Sequence, residues 1–260
     1  MAVGGGIGTI VIVLLAMFLG VDPRDIINTG SYETTNTPAA TSSPVDDETR
    51  DFVATIVGYT EDTWSEIFRS AGRTYQPPTL VLYSGAVESA CGFGQAAMGP
   101  FYCPGDQKVY LDLSFFQELR NRFHAPGDFA QAYVIAHEIG HHVQNLLNIS
   151  SQVESVRNRA SERNANRASV MLELQADCLA GLWANRTEKS QQSQAKTFLD
   201  PGDVQEALQA ASMIGDDKLQ MESRGYVVPE SFTHGSAAQR MQWFNQGFQS
   251  GDFQACNTFK

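Results

Sequence analysis

The sequence has little positive charge. Lys and Arg number 18 against 29 Asp and Glu, which gives a net charge of −11, and no stretch of the chain is rich in Lys or Arg. Proteins that bind nucleic acid neutralise its phosphates with such residues. The composition therefore argues against nucleic acid as a partner.

Cysteine is also scarce, with four residues at positions 91, 103, 178 and 256. No two of them have the C-x2–4-C spacing of a structural zinc site, which argues against a metal held by cysteines. An even number favours two disulfides and an oxidising compartment, and three pairings are possible. The Gly-rich loop between Cys91 and Cys103 favours a local bond, which leaves Cys178 for Cys256; four buried free thiols are the alternative.

The single long apolar run lies at the start of the chain, where residues 3–21 carry no charge. A run of about nineteen residues is just long enough to cross a bilayer as a helix. No Lys or Arg precedes it and no A-x-A-like site follows it, which argues against a cleaved signal peptide. We predict a transmembrane anchor at residues 1–21, with a buried N-terminal helix as the alternative, a flexible linker at residues 22–45 and a folded domain at residues 46–260.

Apolar periodicity in the folded domain predicts many helices and few strands. Helices are predicted at residues 46–70, 114–123, 128–147, 151–162, 164–186, 203–214 and 237–248, and strands at 79–83 and 108–113. Most of the helices follow the strands, so the predicted class is α+β, a helix-rich domain with a small β-sheet.

The motif His137-Glu138-Ile139-Gly140-His141 carries the clearest chemical information. Residues four apart on a helix lie on the same face, so both imidazoles can reach one metal ion. Glu138 follows the first ligand and can face a metal-bound water as general base. The surrounding helix is apolar on most sides, where polar side chains are costly unless they are paired or bind a metal.

A second pair, Glu173 and Asp177, is also four residues apart in a predicted helix. A catalytic zinc site needs three protein ligands and one open position, so we predict Glu173 as the third ligand beside His137 and His141. Asp177 can accept a hydrogen bond from a ligating imidazole and fix its tautomer. The predicted cofactor is Zn²⁺.

The remaining candidate residues are two histidines and a tyrosine. His142 lies about 100° around the helix from His141, so we expect it to form hydrogen bonds near the site rather than to bind the ion. His234 precedes the last predicted helix, where it is either a loop residue or a catalytic donor to the oxyanion of the reaction. Tyr226 is a weaker candidate for that donor.

Several stretches in order resemble the bacterial neutral zinc metallopeptidases. They are 99–104 (GPFYCP), 137–144 (HEIGHHVQ), 173–178 (ELQADC), 231–235 (SFTHG) and 251–259 (GDFQACNTF). The chain also resembles the thermolysin-type gluzincins in the pattern H-E-x-x-H…E-x-x-x-D. The resemblance implies a zincin-like metallopeptidase domain in a single-pass protein of the bacterial cell membrane, with the catalytic domain facing the periplasm or the exterior.

We therefore predict a zinc-dependent endopeptidase of the bacterial cell envelope, with a peptide or protein as substrate. The predicted strand 108–113 is expected to pair with an extended peptide, as strands at the edge of a sheet do. Two alternatives remain: a zinc-dependent hydrolase of a non-peptide amide, and a non-catalytic membrane-tethered scaffold that zinc stabilises. Glu138 argues against the scaffold, because structural zinc needs no general base. The sequence does not define an oligomeric state.

Overall fold

A computed structural model describes residues 47–95, 99–123, 125 and 127–260. Within these residues the chain is a helix-rich α+β domain with a small sheet, as the sequence predicts. The elements are α1 (Asp47–Ser70), β1 (Thr79–Tyr83), β2 (Ala86–Ser89), β3 (Gly92–Gln95), β4 (Phe101–Cys103), β5 (Lys108–Asp112), α2 (Leu113–Asn121), α3 (Asp128–Leu146), α4 (Ile149–Arg157), α5 (Glu162–Ser193), α6 (Asp203–Met213), α7 (Asp216–Arg224) and α8 (Ala237–Ser250).

The structure corrects the predicted localisation in the membrane. None of the helices in the described part of the chain is long and apolar enough to cross a membrane. The predicted anchor at residues 1–21 and the predicted linker at residues 22–45 lie outside the described residues.

Two long helices, α3 and α5, form the centre of the domain. Most residues of α3 are buried, because β4, β5, α1 and α6 pack around it. Helix α5 is buried between Leu174 and Ala184, where it lies against α3 on one side and α8 on the other. A helix that is apolar on nearly all sides must be enclosed in this way. The two predicted sequence motifs therefore face each other across the core.

The main sheet has three strands in the order β1-β5-β4. Strand β5 pairs in parallel with β1 and antiparallel with β4, while β2 and β3 form a separate hairpin. The prediction that β5 pairs with a substrate is wrong, because both of its edges already have a neighbouring strand. Both β4 and β5 border α3, and of these two strands β4 lies at an edge of the described sheet.

Both predicted disulfides are present. Cys91 is joined to Cys103, which ties the β2–β3 hairpin to β4, and Cys178 is joined to Cys256, which ties the C-terminal turn to α5. The described residues contain no free cysteine. The second bond lies one residue after Asp177, so it fixes the C-terminal turn beside the candidate metal centre.

Candidate metal centre

Three side chains from the two central helices converge on one point. His137 Nε2 lies 3.2 Å from Glu173 Oε2, and His141 Nε2 lies 3.5 Å from Glu173 Oε1. One donor atom from each residue lies within 4.8 Å of the others, close enough for a shared metal ion. The structure thus brings together the three residues that the sequence predicts as ligands.

A buried ion pair fixes the orientation of His137. Its Nδ1–H donates to Asp177 Oδ1 over 2.9 Å, so its Nε2 keeps a free lone pair. Both oxygens of Asp177 also accept from the guanidinium of Arg240, each over 2.9 Å, and Tyr133 donates its hydroxyl to the same carboxylate. Asp177 occupies the position predicted for it, and Arg240 and Tyr133 hold it there.

The side-chain amide of Gln144 fixes the orientation of His141. The Nδ1–H of His141 donates to Gln144 Oε1 over 2.9 Å, which leaves Nε2 directed towards Glu173. Gln144 is completely buried and lies one turn further along α3. Both imidazoles are therefore held in the tautomer that a metal ligand needs.

The electrostatics of the group favour a cation. Burial alone would lower the pKa of His141, but the negative charge of Glu173 raises it to about 9. Burial would raise the pKa of Asp177, yet the charge of Arg240 and then that of His137 lower it to about 2. For Glu173 the two histidines outweigh burial, and its pKa falls well below the usual range. A negative field that retains protons on buried imidazoles also attracts a metal ion.

Glu138 lies beside the three predicted ligands but outside their group. Its side chain is buried, and its carboxylate lies close to the main chain of Tyr102 on β4. Burial raises the pKa of Glu138 above its ordinary value, although His137 and His141 act in the opposite direction. The arrangement connects the predicted general base to strand β4.

His234 is held by Asp216, the first residue of α7. Asp216 Oδ2 accepts the main-chain N–H groups of residues 233–235 over 2.7–3.0 Å, and Asp216 Oδ1 lies 3.3 Å from His234 Nδ1. Gly235 has φ of +97°, and a Cβ there would lie 3.2–3.3 Å from Leu174 and Val170 on either side of Glu173. The loop therefore packs against the turn of α5 that carries Glu173, with the His234 side chain half exposed.

The other two candidates do not belong to the group of His137, His141 and Glu173. His142 donates from Nε2 to Gln76 O over 2.6 Å and contacts the hydroxyl of Tyr102 through Nδ1, so it links α3 to the sheet as a hydrogen-bonding residue. Tyr226 is 59% exposed on the segment after α7.

Arg240, Asp216 and Gln144 support the site but were not predicted from the sequence. Gln144 could have been found, because it lies three residues after His141 and so on the same face of the helix. Arg240 and Asp216 carry no comparable signal, since each is a single charged residue in a helix distant in sequence from the residue it contacts.

The donor set fits zinc. Two imidazole nitrogens and one carboxylate oxygen, with both Nδ1 atoms bonded to oxygens, are the ligands of a catalytic zinc centre of the His2Glu type. A helix bearing H-E-x-x-H beside a second helix bearing E-x-x-x-D defines the class of zinc metallopeptidase-like proteins.

Comparison with known proteins identifies the family. The chain belongs to the family described as "Putative neutral zinc metallopeptidase", whose model matches residues 1–259. It is 49% identical over 255 residues to the uncharacterized protein YpfJ of Escherichia coli strain K12, covering 98% of this chain and 86% of that protein. It is 38% identical over 253 residues to the uncharacterized protein Rv2575 of Mycobacterium tuberculosis, covering 94% and 85%. No solved structure matches the chain.

Proposed function

We propose that the protein is a zinc-dependent endopeptidase. The observation that carries the proposal is the convergence of His137, His141 and Glu173 beside Glu138, a buried carboxylate that the three-residue group does not include. A metal held only for stability needs no such carboxylate, and burying one without a function is costly.

Each residue has a role that follows from its contacts. His137, His141 and Glu173 hold the ion, which when bound polarises a carbonyl and lowers the pKa of water to about 7. Glu138 takes the proton of the attacking water and passes it to the leaving amine. His234, oriented by Asp216, donates a hydrogen bond to the oxyanion that develops on the substrate.

A peptide is the substrate that the sheet suits best. Among the described residues, strand β4 pairs with β5 on one side only, and the main chain of its Tyr102 lies close to the carboxylate of Glu138. An extended peptide that adds to the free side of β4 would gain main-chain hydrogen bonds and would bring its scissile bond next to the general base. A hydrolase of a non-peptide amide would not need this strand.

The decisive experiment compares Glu138→Gln with the parent protein. We expect about one zinc per chain in both, measured by elemental analysis of the full-length protein. Mass spectrometry measures the cleavage of a peptide library. We expect the parent to cleave and Glu138→Gln not to, and cleavage by the parent should stop when a chelator is added. Losses of several orders of magnitude are usual when one member of a catalytic unit is removed.

Glu162→Gln is the matched control, because it removes the same negative charge as Glu138→Gln but at an exposed residue at the start of α5. Equal cleavage by Glu138→Gln and by the parent would refute the mechanism. Loss of zinc in Glu138→Gln would make Glu138 a ligand. A parent that binds zinc but cleaves no peptide would favour the non-peptide hydrolase or the scaffold.

A further inference from the structure

A chain of buried amides connects His141 to the C-terminal turn. Gln144 accepts from His141 Nδ1–H over 2.9 Å and donates from Nε2 to Gln175 Oε1 over 3.1 Å. Gln175 in turn donates from its own Nε2 to the main-chain carbonyl of Cys256 over 3.0 Å. Gln144 and Gln175 are 0% and 4% exposed, so water does not compete for these bonds.

Two main-chain carbonyls fix the direction of the whole chain. The carbonyl of Cys256 can only accept, so it turns the NH2 group of Gln175 towards itself and leaves Oε1 facing Gln144. The carbonyl of Leu172 likewise accepts from Gln144 Nε2 over 2.7 Å. With its NH2 group held by two acceptors, Gln144 can present only its oxygen to His141.

This direction decides the tautomer of His141. An oxygen opposite Nδ1 requires a proton on Nδ1, and a neutral imidazole then has its lone pair on Nε2, the atom that faces Glu173. A reversed Gln144 would place an NH2 group against Nδ1 and move the proton to Nε2, where it would block a metal.

We propose that Gln144 and Gln175 are positioning residues through which the C-terminal turn, held by the disulfide of Cys178 and Cys256, sets His141 for metal binding. The assignment of His141 as a ligand rests on the proposed function. The C-terminal turn therefore helps to orient a metal ligand in addition to covering α5.

The first test measures the tautomer directly in the metal-free protein, at a pH high enough for the imidazole of His141 to be neutral. Long-range 1H–15N NMR spectra distinguish an imidazole protonated on Nδ1 from one protonated on Nε2, and His141→Gln assigns the signal. We expect the Nδ1–H form of His141 in the parent and a mixture of both tautomers in Gln175→Met. A parent with the Nε2–H form would overturn the inference, whatever the protein catalyses.

The second test measures zinc affinity by competition with a chelator. Loss of a group that orients a ligand typically costs 10–100-fold in metal affinity, so we expect this range for Gln144→Met and about 10-fold for Gln175→Met. Gln191→Met is the control, because Gln191 is a buried glutamine on α5, the helix of Gln175, but lies away from the metal centre. It should bind zinc as the parent does.

The outcomes separate this inference from the proposed function. Parent-like zinc affinity in both Gln144→Met and Gln175→Met would overturn the inference and leave the peptidase proposal intact. A parent without zinc or hydrolysis would refute the proposed function, while the tautomer of metal-free His141 would still decide the hydrogen-bonding role. If Gln144→Met does not fold, Gln175→Met and the parent spectrum decide the question.

Discussion

At the scale of single residues, Asp216 organises the loop that carries His234. One oxygen of its carboxylate accepts three successive main-chain N–H groups and the other faces the imidazole of His234. Hydrogen bonds from N–H groups to an ionised acceptor are stronger than bonds between neutral groups. The loop can therefore keep one shape although the His234 side chain is half exposed.

The first prediction concerns the catalytic role of His234. His234→Ala removes the proposed donor to the oxyanion and should lower kcat by about 10²–10³, the usual cost of losing one such donor. Zinc content and the unfolding temperature should stay close to those of the parent. A loss of less than about threefold is too small for an oxyanion donor and would make His234 a structural residue; Tyr226→Phe would be the next variant to measure.

The second prediction concerns the pKa of His234. The partial loss of water around this half-exposed side chain would lower its pKa, but the hydrogen bond to Asp216 and the charges of Glu173 and Asp216 raise the pKa above the ordinary value. Asp216→Asn keeps an oxygen for the main-chain bonds and removes the charge, so the pKa of His234 should fall. An NMR titration of the zinc-loaded protein measures it.

The sign of the effect on stability follows from the same shift. Because the folded pKa of His234 is raised, its ion pair stabilises the fold below the unfolded pKa, and this contribution is lost as pH rises through the folded value. Asp217→Asn is the control, since that carboxylate bonds to Ala237 N–H instead. An equal shift of the His234 pKa in both variants would refute the specific role of Asp216.

At the scale of elements, the crossing of α5 and α8 determines where Arg240 lies. A Cβ on Gly181 would lie 2.0 Å from the carbonyl oxygen of Phe244, and one on Gly247 would lie 1.9 Å from that of Cys178. The helices touch at their backbones, which only glycine permits. This contact brings the N-terminal half of α8, and Arg240 with it, to Asp177 on α5.

The third prediction tests that crossing. Gly247→Ala forces the two helices apart, so we expect a loss of unfolding free energy at or above the usual 1–3 kcal/mol of an overpacked core. Zinc affinity should fall as well, because Arg240 would be displaced from Asp177. Gly58→Ala in α1 is the control: a Cβ at this exposed position meets nothing within 4 Å, and alanine should stabilise the helix by about 0.5–1 kcal/mol. Equal effects of the two substitutions on stability would contradict the close backbone contact between α5 and α8 at Gly247.

Most helices and the five-residue strands β1 and β5 could be predicted from sequence, and the three shortest strands could not. Helix α3 has a break before Asp128 and a long apolar pattern, and its predicted start agrees with the structure. Strands β2, β3 and β4 have three or four residues each, too few for an alternating pattern to be recognised. The polar helix α7 was missed for a related reason, since Leu219 and Met221 are its only apolar residues and form no recognisable pattern.

The order of strands in a sheet depends on tertiary packing, and for this reason β5 was wrongly predicted to be an edge strand. Apolar and polar residues alternate along β5 as they can in an edge strand. In the sheet, however, β5 lies between β1 and β4. The metal-binding group was easier to predict because helical spacing alone puts His137 and His141 on one face. Its supporting residue Arg240 depends on the packing of α8, which no local pattern encodes.

At the scale of the whole molecule, the metal centre joins parts of the chain that are far apart in sequence. Helix α3 supplies two of the proposed ligands and α5 the third, while α8 supports the centre through Arg240 and the C-terminal turn supports it through Gln175. A ligand that binds only the folded state stabilises it by mass action. Zinc should therefore stabilise the entire domain and not only the two helices.

The fourth prediction is the size of that stabilisation. At a free zinc concentration 100 times the dissociation constant, the folded state gains about 2.7 kcal/mol. For a domain of this size that gain raises the unfolding temperature by about 5–10 °C. Calorimetry of the full-length protein with zinc and with a chelator measures the difference.

Two variants decide whether the gain comes from the proposed centre. His141→Asn removes one proposed ligand and should lose most of the zinc-dependent shift. Asp203→Asn alters the other group in the described residues that could hold an ion, formed by Asp128, Asp203 and Glu206. It should keep the full shift, because three carboxylates suit harder cations such as Ca²⁺ better than zinc. The reverse result, with the shift lost in Asp203→Asn and kept in His141→Asn, would place the stabilising zinc at the acidic group and refute the centre formed by the two helices.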